Sequence, residues 1–233
     1  MVYKNYIGGK WVESHTGQVF TSINPANSEV LGEVTRSDTQ DVDDAVRAAH
    51  AAFDGWRKTP APKRAEIMYR LGELLVTHKE DLARFLTMEM GKVLPEARGD
   101  VQEAIDMAYY MAGEGRRLFG YTVPSELPNK LAMCVRDPVG VVAAITPWNF
   151  PIAIPGWKMF PALVAGNTVV FKPASDTAIL AAKLIAIMEE AGFPPGVVNL
   201  VLGPGSTVGN ALVEHPLVRA ISFTGSTEMG TVV

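Results

Sequence analysis

The residues of this chain best placed to do chemistry lie in turns. Gly203-Pro204-Gly205 with Gly209, and Phe223-Thr224-Gly225-Ser226, each fall between an apolar run and a helix-forming stretch. Glycines at such junctions leave backbone N–H groups uncovered at the positive end of the following helix, the arrangement a phosphate group needs. The spacing alone is not diagnostic. Gly203-x-Gly205-x-x-x-Gly209 misses the G-x-G-x-x-G of dinucleotide folds by one residue, and a tight turn explains its glycines equally well. No Lys-Ser or Lys-Thr follows Gly209, which argues against a phosphate loop of the triphosphatase kind. Ser226 has neither a G-x-S-x-G context nor a histidine nearby, so it is not read as a hydrolase nucleophile. The single cysteine, Cys134, lies in the apolar stretch Leu131 to Arg136, where a free thiol is expected to be a small buried hydrophobe. Four scattered histidines, His15, His50, His78 and His215, offer no metal-ligand spacing, and no metal is expected.

These turns need a scaffold, and the hydrophobic pattern supplies one. Residues 6–36 read as short strands, with a hairpin turn at Gly8-Gly9 and further strands at Val19-Phe20-Thr21 and Val30 to Val34. Asp38 can cap a helix in which Val42, Ala45, Val46, Ala49 and Phe53 share one face, ended by Trp56 and Pro60. A second helical stretch runs from Pro62 to Met90 with a break near Thr77-His78, and a third from about Leu94 to Leu118 carries Val101, Ile105, Ala108 and Ala112 inward. Tyr121 to Lys130 reads as an extended connection, and Leu131 to Arg136 as a strand leaving the main body. Beyond it strands at 139–145, 167–171, 197–201 and 218–223 alternate with helices near 151–164, 176–191 and 205–214, and a last helix begins at Ser226. Such alternation implies a parallel sheet covered on both faces, with a ligand site at the carboxyl ends of its strands.

Composition narrows the function classes. The chain is 48% hydrophobic and 20% charged, as in ordinary globular proteins. A net charge of -4 leaves no basic face for nucleic acid or anionic lipid. No apolar run approaches the roughly 20 residues needed to cross a bilayer, and the first ten residues do not resemble a secretory signal, so the cytoplasm is expected. With 233 residues, one large or two closely packed domains are expected.

Several segments in order carry a more specific message. Thr146-Pro147-Trp148-Asn149-Phe150-Pro151, Gly166 to Pro173 and Phe223-Thr224-Gly225-Ser226-Thr227, together with Ile7 to Trp11 and Asn24-Pro25-Ala26, resemble the aldehyde dehydrogenase superfamily, and semialdehyde dehydrogenases within it most of all. The resemblance covers essentially the whole chain but only about the first half of such an enzyme. It implies an α/β fold: a Rossmann-like parallel sheet with flanking helices, an N-terminal strand and helix region, and a protruding oligomerisation strand. The implied organisation is 1–120 packing on the cofactor domain, 121–138 as connection and oligomerisation strand, and 139–233 as incomplete NAD(P)-binding units. Full family members associate as dimers or tetramers through that strand.

In the family a cysteine thiolate attacks the aldehyde, an asparagine amide holds the oxyanion, hydride passes to NAD(P)+, and a glutamate helps water release the acyl group. Carried onto this sequence, Asn149 becomes the oxyanion donor, and its alternative is a simple turn residue. Lys172 is implied to reach the adenosine ribose hydroxyls, with solvated surface as its alternative. Ser175 stands where NAD-preferring members commonly place a glutamate that repels a 2′-phosphate; serine therefore admits NADP as well as NAD and tilts the choice toward NADP. It also suits the N-cap of the helix at 176–191. Gly225 and Ser226 would meet the pyrophosphate, Ser226 alternatively acting only as a cap, while Gly205 would border the adenine side with Gly203. Ile145 and Trp148 would line the cofactor cleft or belong to the core. The family nucleophile and base belong to the second half of such an enzyme, so Cys134 and Glu228 are not assigned those roles, and the 233 residues alone are expected to be inactive. The helix bearing Glu103, Met107, Tyr110 and Met111 is a possible wall of the aldehyde tunnel.

Two functions are thus expected to compete. The first is NAD(P)-dependent oxidation of a small semialdehyde, such as succinate or 2-oxoglutarate semialdehyde, with this chain supplying the cofactor half. The second is a nucleotide-binding or subunit-interaction module without redox turnover.

Overall fold

A computed structural model describes all 233 residues. The N-terminal strands are β1 (Val2–Tyr3), β2 (Asn5–Ile7), β3 (Lys10–Val12), β4 (Val19–Ile23) and β5 (Val30–Thr35). Gly8 and Gly9 turn the β2–β3 hairpin with φ of 60° and 82°, a left-handed pair that side chains disfavour and glycine adopts freely. Four helices follow: α1 (Thr39–Lys58), α2 (Ala61–Thr77), α3 (Lys79–Met90) and α4 (Leu94–Glu114). Asp38 and Asp41 form a reciprocal capping box at the start of α1.

Two helix ends differ from the sequence expectation. α1 continues through Trp56 to Lys58, because Trp56 turns inward and its Nε1 donates to the Leu163 carbonyl at 3.1 Å; the extended Thr59 before Pro60 is the actual stop. α4 ends at Glu114 instead of reaching Leu118, with Gly115 closing the last turn. Its Glu103 and Tyr110 are exposed, Met107 is half-buried and Met111 is buried, and at i, i+4, i+7 and i+8 the four lie along one side of the helix.

The remaining elements are β6 (Tyr121–Val123), β7 (Ala132–Cys134), β8 (Val141–Ile145), α5 (Ala153–Ala165), β9 (Thr168–Lys172), α6 (Ala178–Ala191), β10 (Val198–Leu200), α7 (Asn210–Glu214), β11 (Val218–Phe223) and α8 (Thr227–Val232). The main sheet has six strands in the order β11-β8-β9-β10-β2-β3, the first four parallel and the N-terminal hairpin added antiparallel. β1, β5 and β4 form a small separate sheet.

Strand alternation divides the core into two layers. Val141 and Ala143 of β8 and Val170 of β9 face α1, meeting Val42, Ala45, Val46 and Ala49. Val142, Ala144, Val169 and Phe171 point the other way, into a larger cluster with α2 to α6 that includes Met68, Leu71, Phe160 and Leu184. Each fully buried Val, Leu, Met or Phe side chain among these contributes about 1.5–3 kcal/mol of hydrophobic stabilisation, and each Ala less. α4 packs between α2 and α5 and so reaches the loop that follows β8.

β6 and β7 pair antiparallel as a ribbon of their own, so part of the expected connection is itself a strand. This corrects the reading of Cys134, which is exposed on the ribbon and not a buried hydrophobe. A two-stranded ribbon with no layer against it leaves both faces open, and Tyr121, Val123 and Met133 are exposed as well.

Candidate functional site

The parallel register aligns three strand ends. Ile145 of β8 pairs with Lys172 of β9 on one side and with Phe223 of β11 on the other, so the turns that leave these strands share one edge of the sheet. Between them opens a cleft of about 360 Å³, within the size range of small-molecule sites. Its wall includes Ile145, Trp148, Lys172, Ser175, Gly205, Gly225 and Ser226, residues separated by as many as 81 positions in sequence (226 minus 145). A second cleft, of about 240 Å³ beside Tyr3, Trp11 and Ala182, has mostly apolar walls and none of these groups.

Lys172 dominates the cleft's electrostatics. It is 5% exposed, and its Nζ donates to the Pro173 carbonyl at 2.7 Å as its one hydrogen bond. Burial pushes its ammonium down to about 8, against a smaller opposing effect from the Asp176 carboxylate. An ammonium has three donors, so two remain for a ligand.

Ser175 does not cap a helix. It opens a 3₁₀ turn, Ser175–Thr177, for which Ala174 is the preceding residue, and its Oγ instead donates to the Gly203 carbonyl at 3.4 Å. Ser226 does act as a cap, its Oγ accepting from the Met229 N–H at 3.2 Å, which leaves the hydroxyl hydrogen free to donate. A Cβ on Gly205 would meet nothing within 4 Å, whereas one on Gly225 would strike the Phe223 ring. Gly205 therefore leaves its backbone open to the cleft, and Gly225 is glycine for an internal reason. Ile145 is 8% exposed and serves both core and cleft, while Trp148 is 53% exposed at the rim.

Asn149 stands beside this cleft and is not in its wall. Its side chain is exposed and makes no hydrogen bond, but its carbonyl oxygen accepts from Lys92 Nζ at 2.5 Å. Sequence reasoning missed Lys92 and its buried partner Asp100. The signal for Asp100 was available: it interrupts the apolar stripe Ala97, Val101, Ala104 of α4, where a charge needs a partner. It also missed Thr146, Asp176 and Asn210, all of which line the cleft.

The fold and cleft define a class: an α/β protein with an open cleft at the carboxyl edge of a parallel sheet. The family model for the aldehyde dehydrogenase family matches residues 11–233, and the chain belongs to that family. It is 47% identical over 232 residues to an alpha-ketoglutaric semialdehyde dehydrogenase of Bacillus subtilis, an alignment that takes in 99% of this chain and 48% of that enzyme. Among solved structures it resembles an NADP-dependent enzyme of Escherichia coli, with a TM-score of 0.96, 42% identity, and coverage of 99% of this chain and 48% of that one. It equally resembles a betaine aldehyde dehydrogenase of Staphylococcus aureus in complex with NAD+, with a TM-score of 0.96, 37% identity, and coverage of 99% and 47%. The chain thus spans about half the length of the relatives it matches.

Proposed function

We propose that these 233 residues form the cofactor-binding half of an NAD(P)-dependent semialdehyde dehydrogenase. The observation that carries this reading is Lys172, a nearly enclosed ammonium with spare donors facing a polar cleft. Ribose hydroxyls, or a 2′-phosphate, are acceptors suited to it. The open backbone at Gly205 and the free hydroxyl hydrogen of Ser226 suit phosphate oxygens in the same cleft. Ser175 brings no negative charge to the ribose side, so NADP is accepted as well as NAD, in keeping with the NADP-dependent E. coli relative and the S. aureus relative in complex with NAD+.

The cofactor would supply a hydride acceptor for the aldehyde carbon. The chain's own part in the chemistry is the unpartnered amide of Asn149, which donates to the oxygen that becomes negative as the carbonyl is attacked; one such donor is worth about 3 kcal/mol. The substrate we propose is a small semialdehyde, by likeness to the B. subtilis relative. Cys134, the one thiol, sits on the exposed ribbon and not in the cleft wall, so these residues bind cofactor without turning over aldehyde. The same observation favours a second reading, a binding module with no redox role. We further propose that the ribbon's exposed apolar residues meet another copy of the chain, and that the protein works in the cytoplasm; no helix is long and apolar enough to cross a membrane.

The test is reduction of NADP+ by the complete gene product with 2-oxoglutarate or succinate semialdehyde. Turnover that falls about 100-fold or more in Asn149→Ala supports the dehydrogenase reading. Cofactor binding with no turnover on any aldehyde favours the module.

A further inference from the structure

Lys92 and Asp100 form an ion pair with 3.0 Å between Nζ and Oδ2 and side-chain exposures of 6% and 0%. A pair so enclosed loses much of its attraction to desolvation, so stability alone is a poor reason for it. Every other partner of the pair lies in the short segment that contains Asn149. Lys92 Nζ also donates to the Asn149 carbonyl at 2.5 Å and stands 3.7 Å from the centre of the Phe150 ring, which uses its remaining two N–H groups. Asp100 Oδ1 accepts from the N–H of Ile152 at 3.3 Å and of Ala153 at 2.8 Å. Those N–H groups begin α5, which has no side-chain cap of its own, so the carboxylate acts as a cap supplied by α4. The segment is held at both ends while the Asn149 amide is left without a partner.

We propose that Lys92 and Asp100 are positioning residues: they fix the main chain from Asn149 to Ala153 so that the Asn149 amide is presented, preorganised, to the developing oxyanion. This rests on the oxyanion role proposed for Asn149. Neither residue lines the cofactor cleft, so their effect belongs to the chemical step and not to cofactor affinity. A rigid mount matters because a displacement of about 1 Å in a reacting group can cost about 100-fold in rate.

The experiment uses the complete gene product. Lys92→Met is expected to lower kcat about 100-fold while the Kd for NADPH keeps its wild-type value. Lys92→Arg, which retains a donor for the Asn149 carbonyl, recovers part of the loss. In an Asn149→Ala background Lys92→Met costs nothing further, because the group it positions is gone. Wild-type kcat in Lys92→Met, or losses that multiply in the double variant, would overturn the proposal. So would a fall in NADPH affinity that matches the fall in kcat. If Asn149→Ala alone leaves kcat intact, the oxyanion reading fails, and amide hydrogen exchange decides separately whether the mount exists. Faster exchange at Ile152 and Ala153 in Lys92→Met supports the mount, and unchanged exchange removes it. Should Lys92→Met not fold, Asp100→Asn, which keeps the side-chain shape, carries the same comparisons.

Discussion

Lys172 Nζ donates to the carbonyl of its own neighbour, Pro173, at 2.7 Å, and no other acceptor in the protein reaches it. The ammonium is under-satisfied and buried, and it is the burial, opposed in part by the Asp176 carboxylate, that lowers its pKa from 10.5 to about 8. Between those values the unfolded chain binds a proton that the folded chain has released, so the Lys172 contribution to stability rises with pH through that window. Thermal melts across it should show the rise in the wild type and lose it in Lys172→Met.

The same titration bears on binding. A 2′-phosphate gains most from Lys172 while it is charged, so affinity for NADPH should weaken as pH passes about 8, and affinity for NADH should weaken less. Paired titrations of the two cofactors across this range measure the difference. Equal pH profiles would remove Lys172 from the ribose side of the site.

Ser175 borders the cleft without a charge. Ser175→Glu places a carboxylate beside the bound 2′-phosphate and should reduce NADPH affinity by about tenfold or more, leaving NADH affinity equal or improved. A parallel loss for both cofactors would indicate damage to the turn and not charge repulsion.

Glu89 offers a separate pH test. It is 4% exposed and accepts from Ser22 Oγ at 2.9 Å and from the N–H groups of Ile179 and Leu180 at 2.9 and 2.8 Å, capping α6 from α3. Burial nevertheless pushes its carboxyl up from 4.5 to about 7. The folded state then holds a proton that the unfolded state has lost, so this contribution is fully present below 4.5 and declines as pH rises to about 7. Glu89→Gln should flatten the stability profile in that window, as read by denaturant melts at several pH values.

Cys134 lies on the ribbon, away from the cleft wall. Cys134→Ser should leave NADPH affinity unchanged, and the native thiol should react with a soluble thiol reagent without loss of cofactor binding. A cofactor that protects the thiol would place the ribbon nearer the site than the structure has it.

Much of this architecture was legible in the sequence because its signals are local. Alternating apolar runs gave β8 to β11 and the helices between them, and Gly8-Gly9 gave the first hairpin, since each depends on spacing within a few residues. The cleft residues were legible through the family motifs, and the strand register then brought Ile145, Lys172 and Phe223 into line. What escaped depends on distant partners. Trp56 is helical because of Leu163, and Lys92 finds its role 57 residues away at Asn149. Cys134 was misread because an apolar strand in sequence says nothing of whether a second layer covers it. Ser175 is a residue type suited to a cap, but its hydroxyl bonds the carbonyl of Gly203, 28 residues away.

The most direct test of the central claim, that the cleft at the carboxyl edge of the sheet holds a dinucleotide, is a fluorescence titration of the 233-residue chain with NADPH. Saturable binding at one site per chain is expected, displaced by NADP+ and weakened in Lys172→Met. A folded sample that shows no saturable binding, or binding that Lys172→Met leaves untouched, would contradict it.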